Sequence, residues 1–297
     1  MKLLAPAILA ALALSACDPH RVEERSVEEF RFETGSARPK LEVRIESGSV
    51  EIVGTPDSRS VEAEFAKRAR SVDRESAKAL LERAEVSAAQ VEAGTRFRFE
   101  GRVESVTPFG GDLRTDLRIR VPREIDLEIS TEDGRVEIEG TSGRVSAESG
   151  DGRIVVKRIS GELHLRTEDG SIVGQEIQGA LEAATDDGGI ELEGTFPRLE
   201  AVSSDGSIRV DCLDWPAASM EGWVLRTADG AIRVVLPASA AADIDATTSD
   251  GHVVNRLHSF EGTSHDENGR RIRGKLAGGG PLLFLSTMDG RIELSQK

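Results

Sequence analysis

An Asp-Gly pair stands at Asp133, Asp151, Asp169, Asp187 and Asp205, an interval of 18 residues repeated without insertion or deletion. Less evenly spaced copies follow at Asp229, Asp250 and Asp289. All eight share one frame, Ser/Thr-x-Asp-Gly-x-Ile/Val, as in Thr167-Glu-Asp-Gly-Ser-Ile172. A fixed period of this size marks a chain that stacks one small unit on the next. Within it lies a half-period of 9: Val136, Val145, Ile154, Leu163, Ile172, Leu181, Ile190, Leu199 and Ile208. Most have a second apolar or small residue two positions on, which places both side chains on one face of a short strand.

Two all-β architectures fit such a repeat. A β-solenoid stacks equivalent residues at about 4.8 Å per coil. An antiparallel sandwich would use each Asp-Gly as a hairpin turn. Sandwich loops vary freely in length, whereas a coil that gains one residue loses register with its neighbours. The unbroken spacing therefore favours a single-stranded β-helix with coils of about 18 residues, the repeats spanning 127–297.

The pairs Asp133-Gly134, Asp151-Gly152, Asp169-Gly170, Asp187-Gly188 and Asp205-Gly206 then form a ladder of turns along one edge. The expected role is structural: carboxylate and preceding hydroxyl accept corner amides while Gly supplies a positive φ. Stacked acids could also hold a divalent cation and stiffen an adhesin. The Gly-Gly-x-Gly-x-Asp signature of calcium solenoids is absent, however. Acid pairs such as Asp186-Asp187 could serve a polysaccharide-cleaving β-helix enzyme, but acids are spread evenly over the rungs and only 4% of residues are aromatic. His20, His164, His252, His258 and His265 lack ligand spacing. No P-loop, Gly-x-Ser-x-Gly or dinucleotide fingerprint occurs. Neither catalytic residues nor a cofactor or metal is expected.

The first 16 residues read as a signal peptide: Lys2, an apolar run Leu3–Leu14, then Leu14-Ser-Ala-Cys17. That ending resembles a bacterial lipobox, which implies cleavage after Ala16, acylation of Cys17 and a periplasmic, lipid-anchored chain of 281 residues. Asp18 resembles an inner-membrane retention signal. Losing Lys2 takes the net charge from -15 to -16, which argues against nucleic acid. With Cys17 lipidated, Cys212 has no partner for a disulfide.

Residues 17–26 read as a tether. From Val27 to 126 a β region carries alternating apolar residues such as Phe30 and Phe32, or Leu41, Val43 and Ile45. Ala77, Leu80, Leu81, Ala84 and Ala88 instead recur at helical spacing, predicting an amphipathic helix over 73–88 that is N-capped by Ser71 or Asp73 and covers the end of the strand stack. Asp211–Trp223 interrupts the repeat and carries both tryptophans; it reads as a packing flap over the wall or as a binding insertion.

Several segments together resemble the DUF4097 family of β-strand-repeat envelope proteins, whose "adhesin" label rests on analogy. They are Glu29-Phe-Arg-Phe-Glu-Thr-Gly35, Ile45-Glu-Ser-Gly-Ser-Val-Glu-Ile52, the helical insertion, the Asp-Gly-x-Ile repeats and Gly278-Gly-Gly-Pro-Leu-Leu-Phe-Leu-Ser-Thr-Met-Asp-Gly-Arg-Ile292. The resemblance covers about 27–297. It implies a single-stranded β-helix-like fold, an extracytoplasmic location and no catalytic residues. The expectation is a non-catalytic, membrane-anchored scaffold whose charged wall meets an envelope protein or polymer.

Overall fold

Apolar and charged side chains that alternate along a strand put one face in a core and the other in water, and most of this chain obeys that rule. The structure, a computed structural model, describes residues 8–9, 22–35, 37–103, 111–215, 221–262 and 269–297. Cys17 and most of the signal segment lie outside them. The described residues form an all-β, β-solenoid-like fold with one short helix. They divide into two compact units, Met1–Ser142 and Gly143–Lys297, whereas the sequence-based division at 126/127 marks the start of the repeat.

Unit 1 holds two stacks of strands. In one, Val136–Glu139 pairs in parallel with Val50–Thr55, which pairs in parallel with Asp112–Pro122. Ser60–Ser71 and then Val22–Glu33 continue it antiparallel. In the other, Asp126–Thr131, Lys40–Ile45 and Arg96–Val103 are parallel, and Ala84–Glu92 closes the stack antiparallel. Phe32 from the first stack meets Phe97 and Phe99 of the second at centroid distances of 5.8 and 6.0 Å, and Phe65 lies 6.2 Å from Phe99. The strand Val22–Glu33 already takes up part of the expected tether, with Val22 in register with Ser71.

The helix covers Arg74–Leu81, not 73–88. Asp73 caps it, its carboxylate accepting the Ser76 amide at 2.7 Å. Ala77 and Leu80 are buried, Leu80 packing with Ala69, Ala84 and Leu113. Beyond Leu81 the alanines that favour a helix locally are taken into a strand. Pairing Ala84 with Val103 and Ala88 with Phe99 satisfies backbone groups along a whole ladder, and that long-range gain overrides local propensity. Among the described residues no helix is long and apolar enough to cross a membrane.

Unit 2 repeats the two-stack plan. Ile154, Ile172, Ile190, Ile208 and Ile232 pair in parallel along one stack. Leu163, Leu181, Leu199 and Trp223 do so along the other. The nine-apart aliphatics thus sort alternately into two ladders, and burying each stabilises by about 1.5–3 kcal/mol. All are fully or almost fully buried.

In both units the sequence order of the rungs is broken at one place. In unit 1 the strand pair Lys40–Thr55 lies between residues 96–122 and 126–139. In unit 2 the last pair, Leu282–Gln296, lies between residues 222–236 and 242–256. Arg271–Leu276 and Phe260–Gly262 then close that end antiparallel.

Rungs with aliphatics at matching positions fit one another in any order, so apolar packing alone does not select this one. Each inserted pair also carries a carboxylate that is buried on its outward face. Glu42 is 3% exposed and accepts from Arg96 Nε at 2.8 Å and Arg98 Nη2 at 3.0 Å, with Lys40 Nζ at 3.5 Å. Glu293 is bound by Arg233 from the rung on one side and Arg256 from the rung on the other, at 3.0 and 2.9 Å. Asp245, next to the inserted pair, takes Arg271 and Arg273 of the closing strand at 2.9 and 3.1 Å. A buried carboxylate without its partners is costly, so a misplaced rung loses more than it would through apolar mismatch.

Burial raises the Glu42 carboxyl, but hydrogen bonds from Arg96 and Arg98 outweigh it and hold the group at about 2. Because its folded value lies below its unfolded one, the stability it contributes is present above the ordinary 4.5 and fades as the pH falls towards 2. Urea unfolding followed by circular dichroism at pH 7 is expected to show Glu42→Gln destabilised by about 1–3 kcal/mol, below the full cost of breaking a buried pair because its arginines are half exposed. The difference from the parent chain should shrink at pH 2.5. An unchanged midpoint at pH 7 would exclude the clamp.

Candidate functional site: the Asp-Gly turn edge

Each turn of the frame opens with a hydroxyl that the fold buries. Thr131, Ser149, Thr167, Thr185, Ser203, Thr227, Thr248 and Thr287 are all at most 6% exposed. Thr167 Oγ1 accepts the Gly170 amide at 3.2 Å and shares its own proton between the carbonyls of Gly150 and Gly152 at 2.8 and 3.1 Å. Thr185 repeats this one rung on, accepting from Gly188 N and donating to Gly170 O at 2.9 Å. Ser203 then binds Gly206 N and Gly188 O at 2.9 and 3.0 Å. The ladder follows spatial order where the sequence does not: Thr287 reaches Gly230 O and Thr248 reaches Gly290 O.

The glycines are required by this stacking, not by handedness. None of Gly134, Gly152, Gly170, Gly188 or Gly206 has a positive φ, which corrects the expectation for these turns. A Cβ at Gly170 would stand 2.1 Å from Gly152 O, one at Gly188 1.8 Å from Gly170 O and one at Gly206 1.9 Å from Gly188 O. At Gly134 the obstacle is Gly48 O, 1.9 Å away. Positive φ belongs to the other half of the repeat, at Gly143, Gly161 and Gly179.

The aspartates contribute their backbone to the turns. The amides of Asp169, Asp187, Asp205 and Asp229 donate to Gly150, Glu168, Asp186 and Ser204 carbonyls of the neighbouring rung at 2.9–3.2 Å. Their carboxylates stay in solvent: Asp133, Asp151, Asp169, Asp187 and Asp205 are all exposed, as are Glu168 and Asp186 beside them. Like charges about 4.8 Å apart repel by up to about 1 kcal/mol per neighbouring pair in water before screening. The turns therefore keep an acid that costs stability while hydroxyls and glycines make the corner bonds.

Among the described residues no three His, Cys, Asp or Glu side chains are arranged to hold a metal. Asp186 and Asp187 stand exposed on the edge. His164 lies between Glu162 and Glu182, with Nδ1 3.3 Å from Glu182 Oε2; His252 and His258 are exposed. His20 and His265 lie outside the described residues. Two hollows in unit 1, of about 780 and 670 Å³, have charged linings that include Arg38, Arg59 and Glu124 in one and Arg44, Glu46 and Glu100 in the other.

The insertion after Asp211 packs inward at its described ends. Trp223 is 1% exposed, donates Nε1 to Phe196 O at 2.9 Å and lies 5.7 Å from the Trp215 ring, itself 6% exposed. Cys212 is buried, and burial pushes its thiol up to about 12. Sequence reasoning missed the buried carboxylates Glu42, Asp245 and Glu293. A usable signal for two of them is the Arg-x-Arg pair on a neighbouring strand, at Arg96/Arg98 and Arg271/Arg273.

The family model of Toastrack DUF4097 matches residues 39–295. No curated protein matches the chain. Among solved structures, it resembles one titled a putative adhesin from Bacteroides fragilis NCTC 9343, at 12% identity over 91% of this chain and 97% of that one, with a TM-score of 0.43. Another, titled a putative cell adhesion protein from Clostridium sporogenes ATCC 15579, matches at 14% identity over 91% of this chain and 100% of that one, with a TM-score of 0.23.

Both tryptophans lie in unit 2, so their fluorescence reports on the ladder directly. Gly188→Ala is expected to destabilise this unit by about 3 kcal/mol or more, since backbone must shift to admit the methyl group. Thr185→Val should cost about 1–3 kcal/mol by leaving buried amide and carbonyl groups unpaired. Asp187→Asn should stay within about 0.5 kcal/mol of the parent chain. The assignment fails if Asp187→Asn proves as damaging as Thr185→Val.

Proposed function

The chain belongs to the DUF4097 (Toastrack) family, and on that premise we propose that it is a non-catalytic, lipid-anchored scaffold of the bacterial cell envelope. The repeat winds as a single-stranded β-helix of 18-residue coils, and the Asp-Gly edge meets a partner bearing cationic groups, on a protein or an envelope polymer. The supporting observation is the acid at all eight turns, exposed where its carboxylate makes none of the corner bonds. An open row of separate carboxylates suits multivalent charge recognition, which raises on-rate and is weakened by salt. It gives no enclosed volume in which water is excluded and two acids act on one bond, as glycoside cleavage requires. Acylation at Cys17 would hold the chain at the periplasmic face of a membrane, with Asp18 favouring the inner one.

The triple change Asp169→Asn, Asp187→Asn, Asp205→Asn tests this reading. It is expected not to lower the melting temperature, since it only relieves repulsion, and to abolish photo-crosslinks made in intact cells from probes at neighbouring exposed positions such as Ser204. Crosslinks that survive the triple change would count against the acidic edge. Mass spectrometry of the chain from cells should find the acyl groups on Cys17, and a free thiol there would end the lipid-anchor reading.

A further inference from the structure

We infer that the end of unit 1 bearing Val22 and Val72 rests on the lipid surface that holds Cys17; the inference depends on the acylation proposed above. The first described strand after Cys17 starts at Val22, five residues on. A chain spans at most about 3.6 Å per residue, so Val22 cannot stand more than about 18 Å from the lipidated residue. Nor can it swing free of the body, because Val22–Glu33 is zipped along its whole length to Ser60–Ser71, with Val22 opposite Ser71. The leash therefore fixes which end of this unit meets the bilayer.

That end is suited to the place. Val22 and Val72, adjacent across the strand pair, are 37% and 59% exposed. Val72 is held between the strand end at Ser71 and the helix cap at Asp73. Of the acids beside them, Glu23 is bound by Arg70 and Glu24 by Arg74, at 2.7 and 2.6 Å, while Asp73 accepts the Ser76 amide. Acidic envelope lipids repel an unpaired carboxylate and attract basic groups near the surface. An apolar pair flanked by two neutralised acids meets such a surface with less repulsion than the mature chain's net charge of -16 would suggest.

The test uses the full acylated protein, reconstituted in vesicles of phosphatidylethanolamine and phosphatidylglycerol with a fraction of nitroxide-labelled lipid. A fluorophore is placed by Val72→Cys, and in a second sample by Val91→Cys, an exposed site towards the far end of Ala84–Glu92 in the same unit. Cys17 is blocked by its lipid, and Cys212 is buried. The probe at position 72 is expected to be quenched several-fold more than the probe at position 91, and Val22→Asp should reduce the difference. Equal quenching in acylated protein overturns this inference alone. Crosslinking of position 72 to a second copy of the chain also overturns it, by giving the patch another occupant. An unacylated Cys17 removes both this inference and the anchor.

Discussion

Glycine backbone lying directly against the glycine carbonyl of the next rung is the contact on which the rest of unit 2 depends. With 1.8–2.3 Å between each notional Cβ and that oxygen, no other residue fits without moving backbone. The close approach brings the Ser/Thr hydroxyl within reach of two rungs at once, so one side chain satisfies an amide of its own turn and a carbonyl of its neighbour. This also accounts for the constant spacing. An extra residue in any turn would lift the glycine off its carbonyl, strand a buried hydroxyl and shift the aliphatic ladder.

The same uniformity creates a difficulty that the ends of the two units resolve. Interchangeable rungs define a register but not an order. The order is set where strands distant in sequence are threaded between rungs already adjacent in the chain. There the fold places Glu42 and Glu293 on the inserted strands and Asp245 beside one of them, each with two or more arginines. Buried ion pairs are poor sources of net stability, but they penalise the wrong neighbour strongly, which suits this position. Closing non-local strands also costs loop entropy that local coils do not, so the chain would be expected to order its interior rungs more readily than its inserted ones.

Separating corner chemistry from edge charge has a functional consequence. In a turn where the aspartate made the bonds, changing the acid would change the fold. Here hydroxyls and glycines close the corner, so the carboxylates make none of its bonds, and their spacing follows the rungs. The Trp223 indole, by contrast, fills a position where other rungs have Leu199 and Leu283; the tryptophan insertion serves packing at its described ends.

What the sequence by itself determined was local and periodic: the strands of the repeat, which face of each is buried, the 18-residue offset between their partners, and a helix start at Ser71 or Asp73. Those features follow from alternation and spacing, which short-range geometry converts into structure without reference to the rest of the chain. Only the tertiary structure decided where the helix stops, that Val22 already belongs to a strand, that the glycines serve close approach instead of positive φ, and which rung lies beside which. Each of these depends on a partner many residues away, whether Val103 for Ala84, Ser71 for Val22 or Arg233 for Glu293. A repeat whose rungs look alike carries no local mark of which distant rung will be its neighbour.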